Sequence, residues 1–397
     1  MGRRPAVISA AQRRARLAAR HALAPAHRRD SVEDVVDAMV ALHATEAATV
    51  HLAVATRSGC TVADVDRALY EDRSVVKQLA MRRTLFGLPR ALLPAAWGSA
   101  GVRVAEQQRR LIAKDVERCG LAPDGERWLA AACAAVVARL ADGSARGAKE
   151  LREELPELTG QLSYGAGTAY AGTIHIAPRV LTLLGAEGRI VRAENAGHWR
   201  TSRPQWTAMA TWLGSSPEPL DERTGYAELV RRWLGTFGPG TERDIVWWLG
   251  TTRTVVRRAL SDVGALRVDV EDSAPGWVLP DDLGGVPEPE PWSALLPVLD
   301  PTGMGWKDRD FYLDPRDVPF LVDSNGNIGT TAWWCGRVVG AWVQDEGGVV
   351  RVVPRHGLPA GAMDALQAEA DRLTRWLDGV VISSVYKSRV MKGEPLP

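Results

Sequence analysis

The 397-residue chain is long for one domain and predicts two to four, with 46% hydrophobic and 24% charged residues, as in ordinary soluble globular proteins. No apolar run approaches the roughly 20 residues of a membrane span, and no signal-peptide core follows the basic amino terminus. The net charge of +1 does not by itself indicate a nucleic-acid binder, and four widely separated cysteines form neither a metal-ligand pattern nor a disulfide framework. We therefore expect a cytoplasmic protein.

The charge is unevenly distributed along the chain. Residues 1–29 contain eight arginines and no acidic residue, and residues 8–23 are predicted to form a helix, whereas residues 269–290 are acidic. A local basic face is therefore compatible with the balanced total.

The first domain, residues 1–145, is predicted to be mainly helical. Ser31, followed three residues later by Asp34, is a helix-start signal, and apolar residues at helical spacing extend this helix to about residue 42. A second helix is predicted for residues 46–58. The remaining elements of this domain are helices at 62–70, 103–116 and 125–141 and a short strand at 85–88.

His43, Ala44 and Thr45 lie between the first two of these helices. Side chains two residues apart on one regular helix point about 200° apart, whereas at an interruption they can face the same cavity. The pattern indicates a candidate site formed by His43 and Thr45. The alternative is that Thr45 caps the second helix and His43 is an ordinary, partly buried histidine.

Arg82 and Arg83 precede the short strand. Two adjacent arginines at this position fit either a solvated face or a phosphate-binding site. The sequence leaves both readings open.

The order helix, helix, helix, two-stranded hairpin occurs twice after a linker at 143–147. The first copy has helical stretches at 149–154 and 169–184 and hairpin strands at 190–192 and 199–201. The second has helices at 227–237, 244–249 and 251–264 and strands at 266–270 and 277–279. This is the order of a winged helix, so tandem winged-helix domains are predicted at 146–215 and 216–287.

Each copy offers basic residues for DNA. Arg253 and Arg257 lie on the last helix of the second copy, where a recognition helix would enter the major groove. The first copy's hairpin places Arg200 and Arg203 beside two tryptophans, which suits phosphate contact and stacking. The alternative is a protein–protein module whose tryptophans pack the hairpin.

The last predicted domain, residues 288–397, has a strand-and-turn pattern in place of the helical patterns before it. Short apolar runs interrupted by Asn-Gly-Asn and Gly-Gly predict a small antiparallel barrel or sheet at 291–355, followed by a helix at 361–376 and a strand at 380–386. Its glycines form no phosphate loop and no dinucleotide fingerprint, and no zinc-hydrolase spacing occurs. Lys307 and Arg309 flank an aromatic loop that is a candidate DNA contact.

Several motifs, taken in order, carry a family resemblance. They are ALHATEAATVHLAVATR, MRRTLF, the hairpin GRIVRA…HWRTSRPQW, LLPVLDPTGMGWKDRDFYL and NGNIGTTAWWCGRVVGAW. With them, the whole chain resembles the AlkZ-like winged-helix DNA glycosylases. The resemblance implies an α+β fold in which winged-helix domains and a carboxy-terminal β-barrel surround duplex DNA. It also implies removal of N-alkylated bases, often N7-alkylguanine bearing a bulky natural-product adduct.

The chain departs from the family at one position. The best-described members carry Gln-x-Gln or Gln-x-Asp where this chain has His43-Ala44-Thr45, so the chemistry must be argued for these side chains. His43, with an ordinary pKa of about 6.5, is the first candidate to accept a proton from water, with Thr45 fixing that water. Glu46 is the second candidate, either as the anion beside a sugar cation or as a favourable charge at a helix start.

These observations predict a monofunctional DNA glycosylase that acts on alkylated guanine in duplex DNA, as a monomer and without cofactor, metal or membrane. The absence of a lysine from the motif argues against strand cleavage. A non-catalytic winged-helix DNA-binding protein or regulator is the alternative, although such a protein does not need the domain after residue 290. A nuclease finds no support, since no acidic cluster indicates a metal site.

Overall fold

The computed structural model describes residues 7–164, 171–215 and 217–397, and it has the predicted α+β class. The helices are α1 (Ala10–Arg20), α2 (Val32–Ala38), α3 (Ala47–Arg57), α4 (Val62–Asp66), α5 (Leu93–Ala96), α6 (Val102–Arg118), α7 (Gly125–Leu140), α8 (Ala148–Glu154), α9 (Ala177–Ala186), α10 (Met209–Leu213), α11 (Glu222–Phe237), α12 (Glu242–Leu249), α13 (Arg253–Asp262), α14 (Val318–Leu321) and α15 (Ala362–Leu377). Short 3₁₀ or π turns occur between them, including Arg67–Glu71 and Met81–Arg83.

The strands are short and belong to several small sheets. They are β1 (Val7–Ile8), β2 (Leu42–His43), β3 (Val75–Leu79), β4 (Leu85–Pro89), β5 (Arg146–Gly147), β6 (Gln161–Tyr164), β7 (Gly172–His175), β8 (Ile190–Asn195), β9 (Pro204–Ala208), β10 (Gly240–Thr241), β11 (Leu266–Val270), β12 (Gly276–Val278), β13 (Ser293–Leu296), β14 (Thr331–Trp334), β15 (Arg337–Gln344) and β16 (Val350–Pro354). The sheet orders are β1-β11-β12-β10, β13-β14-β15-β16, β2-β4-β3, β5-β9-β8 and β6-β7.

The start of the chain's second helix is as predicted, but its end is not. The Ser31 hydroxyl accepts a hydrogen bond from the Asp34 N–H at 3.1 Å and caps α2. The helix stops at Ala38, since Val40 adopts a left-handed φ of 64° and the chain then becomes the strand β2. His43 therefore lies on a strand, not at a break between two helices.

The hairpin region of the first predicted copy differs from expectation. Residues 172–175 form the strand β7, where a helix beginning at 169 was predicted; residues 165–170 lie outside the described part of the chain. The second hairpin strand is Pro204–Ala208, not residues 199–201. In the second copy, α11, α12, α13, β11 and β12 follow the predicted order.

The carboxy-terminal region forms an open four-stranded antiparallel sheet, β13-β14-β15-β16, and in the described residues it is not a closed barrel. The helix α15 packs its apolar residues, including Leu366 and Leu373, against this sheet. The predicted last strand at 380–386 is irregular chain instead, and the N–H groups of Ile382, Val385 and Tyr386 donate to the side chains of Gln344 and Glu46.

One apolar core links all parts of the chain. Its buried members run from Leu17 through Leu184 and Trp233 to Leu396. The predicted division at residues 145, 215 and 287 stays a prediction. In the described residues, no helix is long and apolar enough to cross a bilayer.

Candidate active site and nucleic-acid interface

Helix α3 connects residues 43–46, here called the HxT segment, to the carboxy-terminal region along its whole length. The Thr49 and Thr56 hydroxyls donate to the carbonyls of Val298 and Leu295 at 2.9 and 3.0 Å. At its last residue, Arg57 makes a bidentate pair with Asp300 at 2.7 and 2.8 Å, with both side chains at most 1% exposed. The position of the helix start, and of the residues just before it, is therefore set by residues 239 to 249 positions away along the chain.

Glu46, at the start of α3, is the anchored acid of the segment. Its Oε1 accepts from the Ser384 hydroxyl at 2.9 Å and from the N–H groups of Val385 and Tyr386 at 2.6 and 3.2 Å. Among the described residues, Oε2 makes no hydrogen bond. The side chain lines a half-enclosed cavity of about 200 Å³ together with Trp342 and Lys387. A fixed carboxylate thus faces a space of a size that suits a small planar group.

His43 is buried, with 4% exposure, and its ring packs at 4.8 Å from the ring of Phe86. Its strand β2 pairs with β4, and the Ala44 N–H donates to the Leu85 carbonyl. Burial, with a smaller effect of the nearby Arg82 cation, lowers the pKa of His43 to about 3. The prediction that His43 titrates near 6.5 is therefore wrong, and the ring is a neutral, weak base at physiological pH.

Thr45 is exposed and caps nothing, since Glu46 occupies the N-cap position of α3 without a side-chain bond. Of the three predicted catalytic residues, only Glu46 lines the cavity. The structure therefore places His43 in the interior, Thr45 on the protein surface and Glu46 in the wall of the cavity. His43 Nδ1 is enclosed without a hydrogen-bond partner among the described residues.

Arg82 and Arg309 both lie near the ring of Trp247. The guanidinium carbon of Arg82 lies 4.1 Å from the centre of the Trp247 ring, and that of Arg309 lies 5.7 Å from it. Desolvation, with the repulsion of Arg309, lowers the pKa of Arg82 to about 10. Arg82 and Arg83 both have left-handed backbones, with φ of 54° and 57°, a strain that is commonly retained at functional sites.

The predicted contact loop after Gly305 is only partly available to a ligand. Arg309 is 8% exposed and donates to the Gly326 carbonyl at 2.8 Å, so it supports the fold. Lys307 is exposed, and its backbone N–H donates to Asp244. Of the two cations, Lys307 is the one placed to contact a partner.

The β8–β9 hairpin is docked on the carboxy-terminal region. Trp199 packs 5.0 Å from His51 and 5.8 Å from Trp376, and Arg200 donates to the Val381 carbonyl at 2.7 Å. Arg203 remains exposed. On α13, Arg253 and Arg257 are exposed, but both pair with Glu242, at 3.9 and 2.8 Å. A phosphate would have to compete with that carboxylate.

Comparisons with a family model and with solved structures each gave a match. The model of the family described as AlkZ-like, DNA glycosylase AlkZ-like, matches residues 36–376. The chain belongs to the AlkZ-like DNA glycosylase family. Among solved structures, it is similar to the Streptomyces sahachiroi DNA glycosylase AlkZ, with a TM-score of 0.72 over 94% of this chain and 98% of that one. The identity is 22%, so this likeness shows the fold. No curated protein matches the chain.

Two features of the candidate site, the donors to Glu46 and the partner of Arg57, could not be predicted from any local sequence pattern. The donors to Glu46 come from residues 384–386, which were predicted to be a strand, and Asp300 is 243 residues from Arg57. In the described residues, no group of three metal-ligating side chains occurs.

Buried neutral histidines should make the glycosylase sensitive to acid. Burial lowers the pKa values of His21 and His43 to about 3, whereas unfolded imidazoles bind protons below about 6.5. Because the unfolded state then holds more protons, the free energy of unfolding should fall as the pH falls from 6.5 towards 3, with a slope that approaches about 1.4 kcal/mol per pH unit for each ring below about pH 5.5. Urea unfolding between pH 5 and 6.5 measures this slope.

The matched variants are His21→Gln and His356→Gln. His21 is fully buried and His356 is exposed. The slope of the free energy of unfolding against pH should decrease by up to about 1.4 kcal/mol per pH unit in His21→Gln and stay unchanged in His356→Gln. A slope that is identical in both variants contradicts the assignment.

Proposed function

We propose that this glycosylase hydrolyses the N-glycosidic bond of N7-alkylated guanine in duplex DNA, including guanine that carries a bulky antibiotic adduct, in DNA repair or self-resistance. The observation that supports this is the lack of a proton donor in the HxT segment. His43 is neutral at physiological pH, and Glu46 is a hydrogen-bond acceptor. An ordinary purine needs protonation to leave, whereas N7-alkylguanine already carries a positive charge and leaves as a neutral base.

Glu46 is the residue we propose for the chemistry. Three donors hold its Oε1, which fixes the direction of the carboxylate without using Oε2. A fixed negative charge stabilises the oxocarbenium-like charge that develops on deoxyribose, and a carboxylate oxygen can take the proton of the attacking water. This reverses the order predicted from the sequence, in which His43 came first.

Thr45 and His43 take supporting roles in this proposal. The exposed Thr45 hydroxyl is placed next to Glu46 along the chain and orients the water. His43 is a positioning residue: its ring packs on Phe86 and holds the end of β2 that carries Thr45 and Glu46.

Strand cleavage is the second candidate activity, since Lys387 lines the same cavity as Glu46. Its side chain is exposed, however, and lysines that form Schiff bases are usually desolvated or placed beside another cation. We therefore propose a monofunctional enzyme. We also propose that it acts as a monomer, that residues 222–278 form a winged helix, and that the β13–β16 sheet takes the place of the family's barrel.

The test is base release from duplex DNA containing N7-methylguanine or a bulky N7-guanine adduct. We expect free alkylguanine, intact strands until heating, and no borohydride-trapped covalent complex. Release from neither substrate, with tight DNA binding, would favour a non-catalytic DNA-binding protein. A trapped complex that is lost in Lys387→Ala would favour the second activity.

A further inference from the structure

The solvent face of α6 carries a row of exposed basic and amide side chains, and in the described residues Glu106, an exposed acid on the same helix, forms no ion pair with them. Arg103, Gln107, Arg110 and Lys114 follow each other at intervals of four, three and four, which places them on one helix face. All four are exposed. Among the described residues, no carboxylate lies within 4 Å of these three cations. We call this row the α6 stripe.

The α6 stripe continues into the strained turn beside the candidate active site. Arg82, Arg83, Arg103 and Gln107 line one groove of about 340 Å³, and none of its lining residues is acidic. The Arg103 Nε donates to the Gly250 carbonyl at 3.1 Å, which fixes one wall of the groove. The groove thus joins the Arg103 end of the α6 stripe to Arg82, whose positive charge contributes to the lowered pKa of His43.

We propose that the α6 stripe and Arg83 bind the backbone phosphates of duplex DNA and hold one flank of the substrate beside Glu46. The proposal rests on the proposed function for the identity of its ligand. From Arg103 to Lys114 the helix rises about 16 Å, which matches roughly five base-pair steps of one DNA strand. In protein–DNA interfaces, phosphate oxygens accept hydrogen bonds from arginine, lysine and glutamine side chains.

The pairing of other arginines strengthens this choice of surface. Arg253 and Arg257, on the helix predicted to enter the major groove, share Glu242, and Arg223 pairs with Asp262. A phosphate gains less free energy of binding when it must displace a carboxylate from an arginine than when it contacts an unpaired cation. Within the part of the chain that the structure describes, the cations of the α6 stripe have no carboxylate partner to release, so each phosphate contact there yields its full counterion effect.

The test is the salt dependence of binding to an undamaged 30-base-pair duplex. The variant replaces Arg83, Arg103, Arg110 and Lys114 by Ala and leaves Arg82 and the HxT segment intact. We expect the slope of log K against log salt to lose about 3 to 4 units, at roughly 0.9 per phosphate contact, and the affinity near 150 mM salt to fall at least about 10-fold.

The control variant loses the same charge elsewhere. It replaces four exposed cations on other elements by Ala: Arg127, Lys149, Arg267 and Arg375. Its slope should change by about 1 unit or less. An unchanged slope in the stripe variant, or an equal loss in both, overturns the proposal. If the stripe variant does not fold, Arg110→Glu and Lys114→Glu, at two surface positions, carry the same test.

Base release separates this inference from the proposed chemistry. A changed slope with no base release by the wild type would support the phosphate surface and reject the glycosidic chemistry proposed above. Base release by the wild type, together with an unchanged slope in the stripe variant, would support the glycosidic chemistry and reject the phosphate surface.

Discussion

Replacing Glu46 by Gln should lower the single-turnover rate of base release by at least about 100-fold while leaving DNA affinity within a few-fold. The amide keeps the shape of the side chain and can still accept from Ser384 and Val385, but it carries no charge and cannot take a proton from water. A rate loss without an affinity loss is the mark of an interaction made in the transition state. The measurement is base release from N7-alkylated duplex DNA under enzyme excess.

The matched control is Glu346→Gln, the same substitution at an exposed turn between β15 and β16, which should not change the rate. Ser384→Ala removes one of the three donors to Glu46 and should cost about 3- to 30-fold, since the other two still orient the carboxylate. Full activity of Glu46→Gln together with inactivity of His43→Ala would return the water-activating role to His43.

Replacing Asp300 by Ala should destabilise the protein by about 3 to 5 kcal/mol, because it leaves the Arg57 cation buried without its counter-ion. Arg57 is fully buried and uses its guanidinium to bond Asp300, Thr302 and the carbonyls of His21 and Ala53. Thr302 in turn bonds His21 Nδ1 at 2.9 Å, so the loss would spread to α1. Urea denaturation of the variant measures the change.

An exposed pair of the same kind provides the comparison. Asp262 makes a bidentate contact with Arg223, whose side chain is 65% exposed, and Asp262→Ala should cost about 1 kcal/mol or less. The double variant Arg57→Leu with Asp300→Leu should recover part of the stability, since it removes the unpaired charge. Equal losses in Asp300→Ala and Asp262→Ala would show that burial of the Arg57 pair has no special effect.

Local signals in the sequence predicted several elements correctly. The helices at 103–116 and 125–141 were found within two residues of α6 and α7, and the helix at 361–376 within one of α15. These are amphipathic segments with caps or glycine at their ends, and periodicity reports such features without knowledge of the rest of the chain. The motifs around HxT and in the carboxy-terminal domain were likewise sufficient to predict the family.

The chemistry of the site depended on contacts that no local pattern encodes. Sequence alone gave His43 an ordinary pKa, whereas pairing of β2 with β4 encloses the ring and lowers it to about 3. Glu46 is held by groups 338 to 340 residues away. The arginines of α13 and the α6 stripe look alike in sequence, and only the position of Glu242 separates the paired from the free cations.

The sequence by itself determined the α+β class and the family, and it singled out the segment that contains Glu46. The tertiary structure decided what the side chains can do, namely which side chain is neutral, which carboxylate is fixed and which cations are open to phosphate. The physical reason is that protonation and ion pairing depend on desolvation and on charges within a few ångströms. Those neighbours are brought together by long-range packing, which residue spacing along the chain does not specify.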